Sequence, residues 1–352
     1  MKKLILFICL GLIVKAGYSQ TSVVDFLKGG KADAGKLSQA YLQPYAFALG
    51  DGLNNGWYNS AETHKLLGFD LSVSLSGIQI PDKDRTFDIS ALGLTNMTVA
   101  SGGNIAPTIA GSKNSGPQLN VNDPQGNKLV SFNTPGGTAL NIVPVPMFQL
   151  GFGLLPHTDV IGRYVPDMNF GNNGEKMNIG FWGLGVKHNF MEWIPVLKDL
   201  PFDASIFGSY SEANAQSALV SNTSGFGSDN VYLSFLNDNN QMLKMKTKTT
   251  KYGLIVSKKL GVLTFFGGIG HSTSESTVDL TGTYTINTKV QVQGTDYVAK
   301  TDLVDPVALL FKTNNVSMDA GLRLKIMFLS LFASINKAEY TSYNAGVSVG
   351  MR

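Results

Sequence analysis

The 352-residue chain carries 28 Lys and Arg against 25 Asp and Glu, with 39 glycines, 10% aromatic residues and only 15% charged ones. Soluble domains hold about a quarter charged residues, so this composition points away from one. Removal of residues 1–20 would take Lys2, Lys3 and Lys15, lowering 28 basic residues to 25 against 25 acidic ones; a neutral chain without a basic run offers nucleic acid no electrostatic partner.

Residues 1–20 have the three parts of a secretory signal: Lys2 and Lys3, the apolar run LILFICLGLIV, and the cleavage site Gly17-Tyr18-Ser19 before Gln20. Cys9, the only cysteine, lies in the apolar run, so the processed chain is expected to have no disulfide or thiol chemistry. No later stretch supplies ~20 apolar residues free of charge; the longest candidate, 322–335, contains Arg323 and Lys325. A membrane protein without helical spans is a closed β-barrel, because lipid leaves the backbone no other way to pair. A soluble β-sandwich is the competitor.

In chain order, residues 21–30 read as a short helix stopped by Gly29-Gly30. Asp33 is placed to cap a second helix, in which Leu37, Tyr41, Tyr45 and Ala48 recur at helical spacing and Pro44 breaks or kinks the run. A turn dense in Asn, Gly and aromatics follows, Asn54 to Asn59. At residue 69 the pattern becomes strict alternation. Phe69, Leu71, Val73 and Leu75 share one face; Asp70, Ser72, Ser74 and Ser76 share the other. Further apolar or alternating segments run at 148–154, 160–165, 182–190, 202–210, 252–256, 262–270, 316–326, 327–335 and 343–351. Residues 86–94 and 277–292 would add two to four more.

The connections separate barrel from sandwich. Long ones at 77–141, 214–243 and 274–314 alternate with short or moderate ones at Pro156-His157, 190–201 and 258–261, as in an outer-membrane barrel. The expectation is an all-β membrane protein, an antiparallel transmembrane barrel of about 10–14 strands with 12–14 the preferred count, and a short helical N-terminal hatch in the lumen. Both chain ends would then lie on the periplasmic side. The expected organisation is signal 1–20, hatch 21–66 and barrel 67–352.

Little in the chain looks like chemistry. His64, His157, His188 and His271 sit in separate segments without metal-ligand spacing. The string Gly346-Val347-Ser348-Val349-Gly350 matches a hydrolase elbow, but it lies inside a predicted strand with no helix to follow. The Gly151/Gly153, Gly183/Gly185 and Gly268/Gly270 pairs read as small residues in a crowded lumen. Asp70, Lys187, Arg323 and Lys325 fall on polar strand faces, and Tyr164, Trp182, Trp193, Tyr252 and Tyr343 near strand ends read as interfacial girdles. Without a nucleophile, base and orienter together, no enzyme and no cofactor or metal is expected.

A broken helical N-terminus, then Tyr58-Asn59-Ser60-Ala61-Glu62, then the first strand resembles the FadL-type family of long-chain fatty-acid transporters. That family carries a Tyr-Asn-Pro-Ala-Gly-like motif there, from which Ser60 and Glu62 depart. Val145-Pro146 leading into Gln149-Leu150-Gly151-Phe152-Gly153 is also similar to that family. The resemblance implies a barrel of up to fourteen strands closed by a hatch, in the bacterial outer membrane, with passive uptake of small hydrophobic molecules. The alternatives are a structural or secretion-associated barrel binding protein through its long loops, and a lumen-sited enzyme that would need histidines and serines to converge. The expected hatch and ligand residues are Leu37, Tyr41, Tyr45, Phe47, Asn54, Asn55, Trp57, Tyr58, Asn59 and His64. Expected partners are outer-membrane lipid, a small hydrophobic ligand, the barrel-assembly machinery and a protein at the extracellular loops.

Overall fold

A computed structural model describes residues 24–170, 177–197, 199–219, 231–234, 241–292 and 295–351. The expected signal segment and its cleavage site lie outside the described residues. Ten strands follow one another around a closed antiparallel barrel: β1 (Phe69–Gln79), β2 (Ile142–Leu155), β3 (Thr158–Phe170), β4 (Met177–Asn189), β5 (Asp203–Ala218), β6 (Met242–Leu260), β7 (Leu263–Thr281), β8 (Val307–Ile326), β9 (Leu329–Lys337) and β10 (Thr341–Met351). β1 closes the ring on β10, from Phe69↔Met351 to Gln79↔Thr341, and pairs with β2 on its other side. No sheet edge remains in the wall.

The wall is inside out relative to a soluble protein. Along β1, Leu71 is 55% and Leu75 42% exposed, while Ser72 is 4% exposed and Ser76 is fully buried. The other strands repeat this, with an apolar outer face and an inner face rich in Ser and Thr. A polar face can turn inward only where polar partners await it, and an apolar face outward only where lipid does. On β8 the outward apolar run from Val316 to Ile326 spans ~33 Å along the strand, or ~25 Å across a bilayer at a typical tilt. Tyr164, Trp182, Tyr252 and Tyr343 are exposed at the upper border of this belt. Above them the outer face turns charged, with Lys312 bridging Glu275 and Lys246 bridging Glu212.

The count of ten corrects the preferred twelve to fourteen. Thr86–Asp88 pairs with Ile105–Pro107 outside the barrel. Residues 277–281 prolong β7, and Thr283–Val292 pairs with Thr295–Val304 and Val231–Ser234 in a separate sheet. These alternating segments are strands because they pack in a cap, not because they face lipid. β6, β7 and β8 have 19, 19 and 20 residues, about twice what a bilayer needs, and their upper halves carry that cap. Part of the long connections at 214–243 and 274–314 is therefore wall.

The N-terminal region also differs from expectation. A 3-10 turn (Asp25–Gly29) leads into one continuous helix, α1 (Lys31–Asn54), with Pro44 inside it. Packing against β1, β2, β6, β7 and β8 holds α1 together against a proline penalty of ~3 kcal/mol. Asp33 does not cap it: Gly30, at φ 85°, occupies the cap position, and the Asp33 carboxylate accepts from the Thr95 and Asn96 amides at 2.8 and 2.7 Å. Phe26 packs on Phe132 of the long β1–β2 connection, so the chain's first described residues lie at the long-connection end. Met351 ends β10 at the short-turn end. The first and last described residues are thus on opposite sides of the barrel, because residues 55–68 traverse the lumen before β1 begins.

Candidate functional site

The feature to explain is what fills the barrel. α1 enters from the long-connection end, where Leu37 and Tyr41 are fully buried in an apolar core with Phe26, Met97 and Phe132. The Tyr41 hydroxyl donates to the Gly136 carbonyl at 2.8 Å, and Tyr45 shares a hydrogen bond with Thr138. Phe47 packs on Tyr340, ring centroids 6.4 Å apart. Leu37 and Tyr41 are covered by protein, and Tyr45 and Phe47 are half-buried against it.

The remaining six converge in the lumen. Asn54 Nδ2 donates to the Thr273 carbonyl at 3.1 Å, and Asn55 Nδ2 to Ser342 Oγ at 3.0 Å. Trp57 lies against Gly183 and Gly185, where an added Cβ would stand 3.1 Å from its ring at either position. The Arg163 guanidinium lies over the ring, 3.8 Å from its centroid. Arg163 also donates to Gln149 Oε1 at 2.9 Å, to the Leu53 carbonyl at 3.0 Å and to the Asn55 carbonyl at 2.9 Å. A cation from the wall therefore meets the carbonyl end of α1, where the helix dipole favours it.

Below this, the Tyr58 hydroxyl donates to Asp319 Oδ2 at 2.6 Å. Lys251 and Asn336 also bind Asp319, at 2.9 and 2.7 Å. Asn59 is buried. Ser60 and Ala61 rest on Ser257 and Ser205. At the lower end the Asp159 carboxylate accepts from the His64 amide at 2.8 Å, faces His64 Nδ1 at 3.0 Å and pairs with Lys187 Nζ at 3.1 Å. Lys187 in turn donates to the Glu62 carbonyl at 2.7 Å. Gly151 and Gly153 face His64 as Gly183 and Gly185 face Trp57, which is why glycine pairs recur in the wall.

The plug is latched at three heights by buried charge. A cavity of about 20 Å³ lies between Trp57, Tyr58, Asn59 and His64 on the plug and Gln149, Asp159 and Lys187 on the wall; that is room for about one water. A larger recess of about 320 Å³ lies outside the lumen, among residues 86–117.

Sequence reasoning picked out Trp57, Tyr58 and His64 and placed Lys187 and Asp319 on polar faces, but passed over Asp159, Arg163 and Lys251. Their signal was phase: each occupies an inward position in its strand's alternation. Among the described residues no His, Cys, Asp and Glu cluster could hold a metal. His188 bonds Thr158 and meets the Trp193 ring edge-on, and His271 packs at a tilt on Tyr252. The Gly346–Gly350 string lies within β10, without an elbow.

A family model described as "Family of unknown function (DUF6588)" matches residues 1–351. No curated protein matches the chain. Solved structures with a similar arrangement include the translocator domain of autotransporter NalP from Neisseria meningitidis (10% identity, 88% of this chain and 93% of that one, TM-score 0.29). They also include Ail of Yersinia pestis (6%, 82% and 100%, TM-score 0.27) and a Pseudomonas aeruginosa FadL homologue (8%, 82% and 90%, TM-score 0.21). At these values the likenesses carry no argument about activity.

Proposed function

The chain belongs to the DUF6588 family, and from its barrel geometry we propose that it is an outer-membrane channel held shut by residues 31–64. The membrane follows from the belt: a closed barrel, apolar outside, with long connections at one end and short turns at the other, is built for the bacterial outer membrane.

The observation that carries the reading is the chemistry of the plug–wall contact. In the lumen, residues 54–64 meet the wall through hydrogen bonds to Gln149, Asp159, Arg163, Lys187, Ser257, Asp319 and Ser342, and through a small apolar cluster in which Trp57, Tyr58 and Ala61 pack with Ile161, Phe207, Ile255 and Phe266. The hydrogen bonds exchange for water at small net cost when the plug moves, while the apolar contacts favour the closed position. Withdrawal would leave a passage walled by Ser, Thr and paired charges, with Ile161, Phe207, Ile255 and Phe266 among them. The small hydrophobic cargo implied by the resemblance to FadL-type transporters called for an apolar path beside residues 41–64. The cavity there is of water size and partly polar, so small polar solutes suit this lumen better.

The test uses the full chain with Cys9→Ser in planar bilayers and liposomes. Asn55→Cys and Ser342→Cys replace side chains that meet at 3.0 Å. Linked by a disulfide, this pair should abolish openings that return on reduction, and deleting residues 24–64 should raise conductance and sugar flux several-fold. Equal conductance in the linked, reduced and deleted forms would overturn the gate. Faster entry of apolar solutes with unchanged sugar flux would reassign the cargo.

A further inference from the structure

The short-turn end of the barrel is apolar to its tips. Met327 is 82% exposed, Val196 79%, Trp193 70% and Leu67 69%. These residues belong to three different connections around the ring: β8–β9, β4–β5 and the link from the plug into β1. Val262 on the β6–β7 turn is exposed as well. Turns that meet water draw on Gly, Asn, Asp and Ser, and the opposite end of this barrel does so at Asp123–Asn127. Two of the apolar residues also hold backbone positions that suit glycine, Leu67 at φ 62° and Met327 at φ 57°. A large apolar side chain stands there despite a conformation that disfavours it.

Cations accompany the tips. Lys65, Lys258 and Lys259 are exposed at the same end, where Asp199 is the exposed acid among the described side chains. Apolar tips beside snorkelling lysines are the chemistry of an anionic phospholipid interface. The patch is continuous with the lipid-facing belt through Leu329 and Met351, and on β6 Lys258 stands between the outward Val256 and Leu260. It also runs around the ring rather than along one side, as a surrounding leaflet requires and a single docked protein does not. We propose that this rim is a lipid-binding surface seated in the phospholipid leaflet, with its turn tips at the acyl–headgroup boundary and its lysines on lipid phosphates.

The full chain with Cys9→Ser, carrying Met327→Cys or Val196→Cys labelled with an environment-sensitive fluorophore, is reconstituted in phosphatidylcholine vesicles with and without phosphatidylglycerol. Gln125→Cys at the opposite end is the aqueous control. The rim labels should emit to the blue of the control and be quenched several-fold more by brominated acyl chains than by iodide present on both sides. Iodide quenching equal to that of Gln125→Cys would overturn the proposal and leave the rim to a soluble protein partner. Replacing Lys65, Lys258 and Lys259 by Gln should remove the faster insertion into anionic vesicles; an unchanged preference for phosphatidylglycerol would remove the lysines from the site.

Discussion

Arg163 joins more of the lumen than any other wall residue described above. It is fully buried, lies on Trp57, and supplies donors to two carbonyls at the end of α1 and to Gln149. Methionine of similar length would keep the packing but leave the Leu53 and Asn55 carbonyls without this donor. Arg163→Met should therefore destabilise the closed form by about 2–3 kcal/mol, read as a lower urea midpoint for exposure of Trp57. No change in that midpoint would show that α1 ends satisfactorily without the wall. Trp57 stood out in the sequence as a lone Trp in an Asn/Gly turn. Arg163 did not, since one arginine in a strand reads equally as a solvated charge.

At the scale of elements, α1 shows local rules yielding to packing. Pro44 argued for a break, yet the helix runs from Lys31 to Asn54 because the cap and the upper wall enclose it. The Pro44 nitrogen cannot donate to the Ala40 carbonyl, so Pro44→Ala restores that bond. The gain should be about 1–3 kcal/mol, seen as slower hydrogen exchange at residues 40–48 and a higher thermal midpoint. A lower midpoint would mean that the buried proline ring contributes more by contact than it costs in geometry. Of the two departures in the 58–62 motif, Ser60 acquires a role at this scale. The Ser60 hydroxyl accepts from the Glu62 amide and touches Ser257, and the Glu62 carbonyl receives Lys187. The first is a side-chain contact; the second is made by the backbone and any residue at 62 would supply it.

The molecule as a whole is a short membrane belt beneath a tall extramembrane cap. Val347 lies mid-belt, opposite Val73 and Leu331, and faces outward. Arginine there should cost ~2–4 kcal/mol in lipid vesicles, while Thr250→Arg, above the aromatic border, should cost ~1 kcal/mol or less. Equal costs in equilibrium unfolding would place the bilayer elsewhere on the wall.

The alternation of Leu71, Val73 and Leu75 with Ser72, Ser74 and Ser76 was enough to define strands, their inward and outward faces and a lipid-facing barrel. Periodicity two reports the environment of each face directly, and connection lengths report which end is which. The number of staves was not legible, because a strand in the cap alternates just as one in the wall does. Nor were the latches. Asn55 meets Ser342 across 287 residues of sequence and Tyr58 meets Asp319 across 261, pairings set by ring closure and by the path of residues 55–68 through the lumen. A local pattern says that a polar side chain faces inward; only the closed barrel decides which plug atom it meets there.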